Sequence, residues 1–314
     1  MGKVLAVCIS EKRGTEKKQI PAGDFKENWG IAEDAHAGRW HRQVSLLSAG
    51  KIEEFNKLGA QVDYGEFGEN LVVEGIDFSA LPVGARLRCN QVVLEITQIG
   101  KECHSHCNIY NRMGDCIMPR EGVFAAVISG GRIAPGDNME IIPYEGKRPF
   151  QAAVITLSDK GFRGERVDKS GPAIEDRLKK EGYEIIERLL LPDDEEALKS
   201  QLIRLCDQRQ PDLILTTGGT GFSQRDITPE ATMAVAHRNA PGIAEAIRAY
   251  SMKITSRAML SRGVSVIRGR TLIINLPGSL KAVEESMDSF LNVIPHGIEL
   301  LREEAHDCGE KGKN

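Results

Sequence analysis

The densest chemical signal in the chain lies in residues 212–232, DLILTTGGTGFSQRDITPEAT, where an apolar strand runs into a glycine-rich turn and then into a helix start. In α/β sheets that junction binds anions. Gly218, Gly219 and Gly221, spaced by Thr217 and Thr220, let a ligand approach the backbone with amides pointing inward, and the dipole of the following helix adds attraction for phosphate. The segment is neither a Walker A loop nor a GxGxxG fingerprint, because no Gly-Lys-Ser/Thr follows and the glycine spacing differs. A tight structural turn is the competing reading, and the Arg225-Asp226 pair with the helix start beyond it weighs against that. Asp226 follows this loop, and Asp193, in LLLPDDEE, follows another apolar strand, so both are expected at the carboxyl edge of one sheet. Two carboxylates beside a phosphate loop suit a Mg²⁺ ion bridging nucleotide phosphates. Against this, Asp193-Asp194 suits a helix cap, and Asp226 beside Arg225 suits a surface ion pair.

A second constellation, GKECHSHCNIYNRMGDCIMPREGVFA, places Cys103, His104, His106, Cys107 and Cys116 within 14 residues. Cys103 and Cys107 have an acceptable separation for zinc, but no second knuckle completes a regular tetrahedral set. The alternative is a reactive thiolate, since Lys101 and two histidines favour a lowered thiol pKa; such a cysteine serves as nucleophile, persulfide carrier or soft molybdenum ligand. For Cys107 and Cys116, burial as packing thiols is the competing reading.

These sites need elements to position them, and the chain shows two textures. Before the polar stretch at Tyr144–Phe150, short apolar runs such as VLAVCI, QVSLL and VVLEITQI are divided by Gly, Asp and Pro, as in a sheet-rich domain with one helix from Ala49 to Leu58. After it, strands alternate with amphipathic helices. AAVITLS, a helix from about Pro172 to Lys180, YEIIERLLL, a helix from about Glu195 to Gln208, and DLILTT give a β-α-β-α-β order and hence a parallel sheet with helices on both faces. Thr228 is expected to cap the next helix, with Pro229 at its first position and Glu230 at the positive dipole end. A last helical stretch from Leu280 to Glu304 is interrupted at Pro295. The expected domains are residues 1–145 and 146–306, followed by a disordered tail, 307–314.

The 314 residues are 41% hydrophobic, enough for two cores of ordinary size. Residues 1–145 hold 16 Lys and Arg against 20 Asp and Glu, and the remainder holds 25 against 25, so neither half has the basic excess that nucleic-acid backbones require. No apolar run of about 18 residues or secretory leader is evident, which excludes membrane spans and points to the cytoplasm. Seven cysteines, three of them between positions 103 and 116, do not read as a disulfide framework.

Residues 150–304 resemble the Mog/MoaB family of molybdopterin adenylyltransferases through ITLSDKG, DKSGPAIEDRL, LLLPDDEE, TTGGTGFSQRDITPEAT, MLSRGVSVIRGRTLIINLPGS and VIPHGIELL. The resemblance implies a three-layer α/β domain and a Mg²⁺-dependent transfer of AMP from ATP to molybdopterin with release of pyrophosphate. It makes Asp226 and Asp193 the catalytic, metal-binding carboxylates. It gives the TTGGTG loop, Ser158, Asp159 and Arg225 to the pterin and its phosphate, and makes Asn275, Pro277, Gly278 and Ser279 another wall of the site. It also implies a homotrimer. Residues 1–143 are similar to the MOSC domain, a barrel-like module of molybdenum-cofactor sulfurases, through EDAHAGRWHRQVSLLS, GEFGENLVVEGIDFSALPVGARL and GVFAAVISGGRIAPGD. That resemblance puts sulfur handling or cofactor binding on Cys103, with His36, His41 and Arg42 lining a pocket for molybdenum cofactor. Sulfurases carry a pyridoxal-phosphate desulfurase ahead of this module, so here sulfur would come from a partner. A molybdate insertase is a second expected partner. A non-catalytic cofactor carrier and a sulfur-transfer factor are the other functions in view.

Overall fold

The computed structural model of the protein describes residues 1–101 and 108–302. The chain divides into two compact units, Met1–Arg148 and Pro149–Asn314.

In the first unit the strands are β1 (Gly2–Ile9), β2 (Lys18–Ile20), β3 (Gly23–Lys26), β4 (Gly30–Ile31), β5 (Val44–Ser48), β6 (Leu71–Glu74), β7 (Arg86–Cys89), β8 (Val92–Ile99), β9 (Val123–Ser129), β10 (Gly131–Ile133) and β11 (Asn138–Ile142). Seven of them pair in the circular order β1-β11-β7-β8-β9-β5-β6, with β6 returning to β1, so the sheet closes into a barrel; β2 hangs on β1. Closure removes the sheet edges and demands strong local twist, which the register shifts between Val4 and Ala6 and between Ile96 and Gln98 help supply. Strand β8 alternates buried and partly buried residues along its whole length, the period-2 pattern of a barrel wall. Val4, Leu46, Leu71, Leu87, Leu94, Ile96 and Met139 fill the interior. Outward-facing Ala6, Cys8, Leu47 and Val72 are covered by Ile52 and Phe55 of α1 (Ala49–Lys57), Ile109 of α2 (Asn108–Met113) and Met118 of α3 (Met118–Glu121). The sequence pattern shows α1, whereas α2 and α3 are too short to leave a clear periodicity.

The second unit continues with β12 (Phe150–Leu157), α4 (Asp159–Phe162), α5 (Ser170–Lys180), β13 (Tyr183–Leu191), α6 (Glu195–Arg204), β14 (Leu213–Thr217), α7 (Thr228–Ala234), β15 (Arg238–Asn239), α8 (Pro241–Met252), β16 (Ser265–Arg268), β17 (Thr271–Leu276), α9 (Leu280–Asp288) and α10 (Ile294–Leu301). The sheet order is β13-β12-β14-β17-β16-β15. Its first four strands are mutually parallel, and β16 and β15 add an antiparallel edge. Strand alternation divides the apolar residues between two faces. Ala152, Val154, Leu213, Leu215, Leu272 and Ile274 pack with Ile174 and Leu178 of α5, Ile247 of α8, and Val283 and Met287 of α9. Ala153, Ile155, Ile214 and Ile273 pack with Leu198 and Leu202 of α6 and Ala231 of α7.

The chain steps from β12 outward to β13 and then back across to β14, so the crossover direction reverses between β12 and β14. The carboxyl ends of those two strands flank a crevice in which open α/β sheets bind ligands. A buried ion pair ties the end of the unit to its start. Arg302 donates bidentately to Asp212 at 2.7 and 2.6 Å, both side chains are 4% exposed, and the guanidinium also donates to the Pro149 carbonyl and lies over the Phe150 ring.

Two local expectations are corrected. Thr228 lies inside α7 and does not cap it; its buried hydroxyl donates to the Gly218 carbonyl at 2.8 Å, because the glycine turn folds back over the helix start. Pro295 does not interrupt a helix but opens α10, where its missing N–H costs nothing; the break precedes it, between Asp288 and Ile294.

Candidate functional site

Strand β14 ends at Thr217, whose buried hydroxyl donates to the Pro277 carbonyl at 2.6 Å and so ties the loop after β14 to the loop after β17. The turn then requires glycine. Gly218 has φ +100°, and a Cβ there would stand 2.4 Å from the Leu157 carbonyl; Gly219 has φ +62°, and its Cβ would meet the Thr228 hydroxyl at 2.5 Å. Gly278 closes against the Cα of Gly218, with 3.3 Å left for a Cβ. The loop is thus held between the ends of β12, β17 and α7.

Carboxylates gather on the β12–β13 side. The Asp159 amide donates to Asp193 Oδ2 and the Asp193 amide donates to Asp159 Oδ1, each at 3.0 Å. Ser158 caps α4 by accepting from the Gly161 amide at 3.1 Å. Arg225 pairs with Asp159, and not with its sequence neighbour Asp226. The Asp193 amide and the Arg225 guanidinium hold the Asp159 carboxyl below the usual carboxylate range. Cap and site roles divide between adjacent residues: Asp194 caps α6 through the Ala197 amide at 2.8 Å, which leaves Asp193 to the crevice. Asp226 Oδ2 accepts from the Ser223 amide at 2.8 Å and lies 2.9 Å from where a Cβ on Gly221 would stand. Asp193 Oδ1 lies 3.7 Å from the corresponding point on Gly219. Both carboxylates therefore border space that glycine keeps open.

Asn275 is 3% exposed. Its Nδ2 donates to the Thr216 and Thr232 hydroxyls at 2.9 and 3.0 Å, and its Oδ1 accepts from the Val264 amide at 3.2 Å, so it fastens β17 to β14 and α7. Pro277 and Gly278 reach the loop through the contacts above, and Ser279 caps α9. Thr220 is buried, with its carbonyl accepting from the Arg262 amide at 2.9 Å.

Sequence reasoning missed two participants. Asp168 accepts from the Ser170 and Gly171 amides at 3.1 and 3.0 Å and from the Thr156 hydroxyl at 2.9 Å, fixing the start of α5 beside Gly278. Arg262 spans the Gly221 carbonyl, the Asp226 carbonyl and Glu230. Arg262 lies 36 residues beyond Asp226, and only the stretch SRGVSV hinted at it.

In the first unit a cavity of about 1190 Å³ is lined by Ser10, Lys17, His36, Arg42, Lys101 and Cys116, among others. The Arg42 guanidinium lies over the Trp40 and Phe124 rings, with centroids 4.9 and 5.6 Å away. His41 is not part of that wall; its Nε2 is 2.9 Å from Gln98 Oε1. Cys103, His104, His106 and Cys107 lie outside the described residues. Cys116 is buried against α2 and α3.

A parallel sheet with a glycine turn and paired carboxylates at its reversal point defines the second unit as an α/β domain of the class that holds phosphorylated ligands. Comparison with known proteins gives the particular family. Residues 153–296 match the model of the probable molybdopterin binding domain, and residues 33–140 match the MOSC domain. The chain is 41% identical over 156 residues to the molybdopterin adenylyltransferase of Escherichia coli K12, covering 48% of this chain and 80% of that protein. It is 39% identical over 155 residues to that of Helicobacter pylori J99, covering 47% and 85%. The solved structure of the molybdopterin biosynthesis enzyme MoaB from Thermus thermophilus aligns at 45% identity and a TM-score of 0.47, over 49% of this chain and 97% of that one. The chain belongs to the molybdopterin adenylyltransferase family through its second unit, and it carries a MOSC domain in its first.

Proposed function

We propose that the second unit transfers AMP from ATP to molybdopterin. An oxygen of the pterin's phosphate attacks the α-phosphorus of ATP, the bond from that phosphorus to the oxygen bridging toward the β-phosphate breaks, and pyrophosphate leaves with the electron pair. The observation that carries this reading is the glycine turn at the β12–β14 reversal point, bordered by Asp193 on one side and Asp226 on the other.

The residues fit a Mg²⁺ ion. Magnesium keeps most of its water and takes one or two protein carboxylates plus substrate phosphates, so Asp193 and Asp226 suffice, facing a cradle that any Cβ at position 219 or 221 would begin to fill. Bound there, the ion would neutralise nucleotide phosphate charge. The protein's own share is positioning. Loop amides orient phosphate oxygens, Arg225 offers a cation that Asp159 retains, and Arg262 holds the Asp226 backbone in register. A homotrimer built on this unit, residence in the cytoplasm and delivery to a molybdate insertase complete the proposal.

For the first unit we propose binding of molybdenum cofactor in the cationic cavity, with sulfur or metal handled through Cys103 and sulfur supplied by a partner. The cavity volume and the presence of Lys17, His36, Arg42 and Lys101 in its wall support that reading. Incubating the intact protein with molybdopterin, ATP and Mg²⁺ tests the main proposal: adenylylated pterin by mass, with equimolar pyrophosphate, is the expected result. Tight pterin binding without product would make the protein a carrier.

A further inference from the structure

Four residues from three segments of the first unit meet at one wall of its cavity: Ser10 after β1, Lys17 before β2, and Asp34 and His36 beyond β4. The Asp34 side chain is fully buried and its carboxylate is saturated. Oδ1 accepts from the Ser10 amide at 2.9 Å, and Oδ2 accepts from Lys17 Nζ at 2.6 Å and from Asn70 Nδ2 at 3.2 Å. The Lys17 side chain is 2% exposed, so the pair is dry. Such a pair is costly to bury and contributes little net stability, which makes a positional role the better account of it.

The His36 ring shows what is positioned. Its Nδ1 lies 3.3 Å from the Ser10 hydroxyl, 3.5 Å from Lys17 Nζ and 3.9 Å from Asp34 Oδ1. The last distance is too long for a hydrogen bond, so an Nδ1–H donating to Asp34 is not the arrangement. An ammonium has three donors and no acceptor, so the nitrogen facing it presents a lone pair. The ring proton then sits on Nε2, the edge turned away from Lys17 and Ser10, and the side chain keeps 31% exposure at the cavity wall.

We propose that the Lys17–Asp34 pair, with Ser10, fixes His36 as the tautomer protonated at Nε2, so that this wall presents one oriented N–H donor to an oxyanion. The remaining lining supplies the charge, through Lys12, Lys18, Arg42 and Lys101. The inference rests on the reading of this cavity as a cofactor site and specifies its ligand chemistry. The oxyanion is either a phosphomonoester or an oxo group on a metal, and both accept the same hydrogen bond. Lys17, Asp34 and Ser10 are positioning residues, and His36 is the group that touches ligand.

The test uses the intact chain with ¹⁵N-labelled histidine and long-range ¹⁵N–¹H correlation. His36 should show an unprotonated Nδ1 and a protonated Nε2; a protonated Nδ1 would overturn the proposal, whatever the variants do. A Lys17→Met protein with an otherwise unchanged amide spectrum should lose the single tautomer, and its retention there would remove the positioning role. Titration with inorganic phosphate and, separately, molybdate should move the His36 Nε2 signal, and His36→Ala should weaken binding about tenfold or more. Tighter phosphate binding assigns the phosphomonoester and tighter molybdate binding the oxo group, while no response to either anion overturns the oxyanion assignment. Cofactor binding unchanged in His36→Ala would overturn this site and leave the proposed function of the unit standing. Anion binding at His36 without cofactor binding would do the reverse.

Discussion

The two candidate sites are built in opposite ways. In the second unit, one contiguous segment supplies the loop, an acidic residue and the helix start, and the sheet reversal brings Asp159 and Asp193 to it from neighbouring strand ends. In the first unit, Ser10, Lys17, Asp34, His36 and Asn70 come from separate segments and meet only because the barrel closes. A strand-end site depends on backbone shape, with glycines leaving space. A barrel-wall site depends on buried side chains satisfying one another. Substitutions should therefore act differently in the two: in the loop they should remove activity at modest cost in stability, and in the barrel they should disturb stability and site together.

The largest expected effect lies outside both sites and calibrates the comparison. Arg302→Met leaves the Asp212 carboxylate buried without its bidentate partner, which costs about 3–5 kcal/mol. Urea unfolding of the second unit should shift accordingly, while the first unit's transition stays in place. Next, Asp226→Asn should lower adenylyl transfer by about 10²–10³-fold with pterin binding and unfolding unchanged. Loss of pterin binding would instead make Asp226 a structural residue of the loop.

The barrel offers a pH-dependent counterpart. Glu69 is fully buried, its Oε1 accepts from the Gly65 amide at 2.7 Å, and burial pushes its carboxyl up to about 7. A carboxyl whose folded pKa lies above its unfolded value binds more protons when folded, so stability falls as pH rises from about 4.5 to about 7. The loss amounts to at most about 3 kcal/mol, and Glu69→Gln should flatten the urea midpoint of the first unit between about pH 5 and pH 8. The smallest effect is expected for Gly219→Ala. Its positive φ and the Thr228 hydroxyl 2.5 Å from the new Cβ should cost about 1 kcal/mol or more, with a larger loss of turnover than of stability.

This contrast also governs what the sequence reveals. The two-domain layout and the strand–turn–helix of residues 212–232 are legible because periodicity and glycine placement act over short range. Spacing alone leaves the choice between cap and site open at Asp193-Asp194, and the fold divides the two roles between neighbours. The cap expected at Thr228 fails because the true partner of its hydroxyl, the Gly218 carbonyl, depends on how the glycine turn folds back. Asn275 stands among the wall residues in the sequence reading, but its amide is spent on Thr216, Thr232 and Val264. Arg262 and the Lys17–Asp34 pair left no local signal, since their partners lie 17 to 41 residues away and nothing near them in sequence announces the contact.

The central claim, adenylyl transfer at the β12–β14 crevice, is tested most directly by following phosphorus labels. With the intact protein, molybdopterin and Mg²⁺, label from [α-³²P]ATP should pass to the pterin, label from [γ-³²P]ATP should appear only in pyrophosphate, and both transfers should vanish in Asp226→Asn. Label reaching the pterin from the γ-position, or α-label transfer that survives Asp226→Asn at the wild-type rate, would contradict the account.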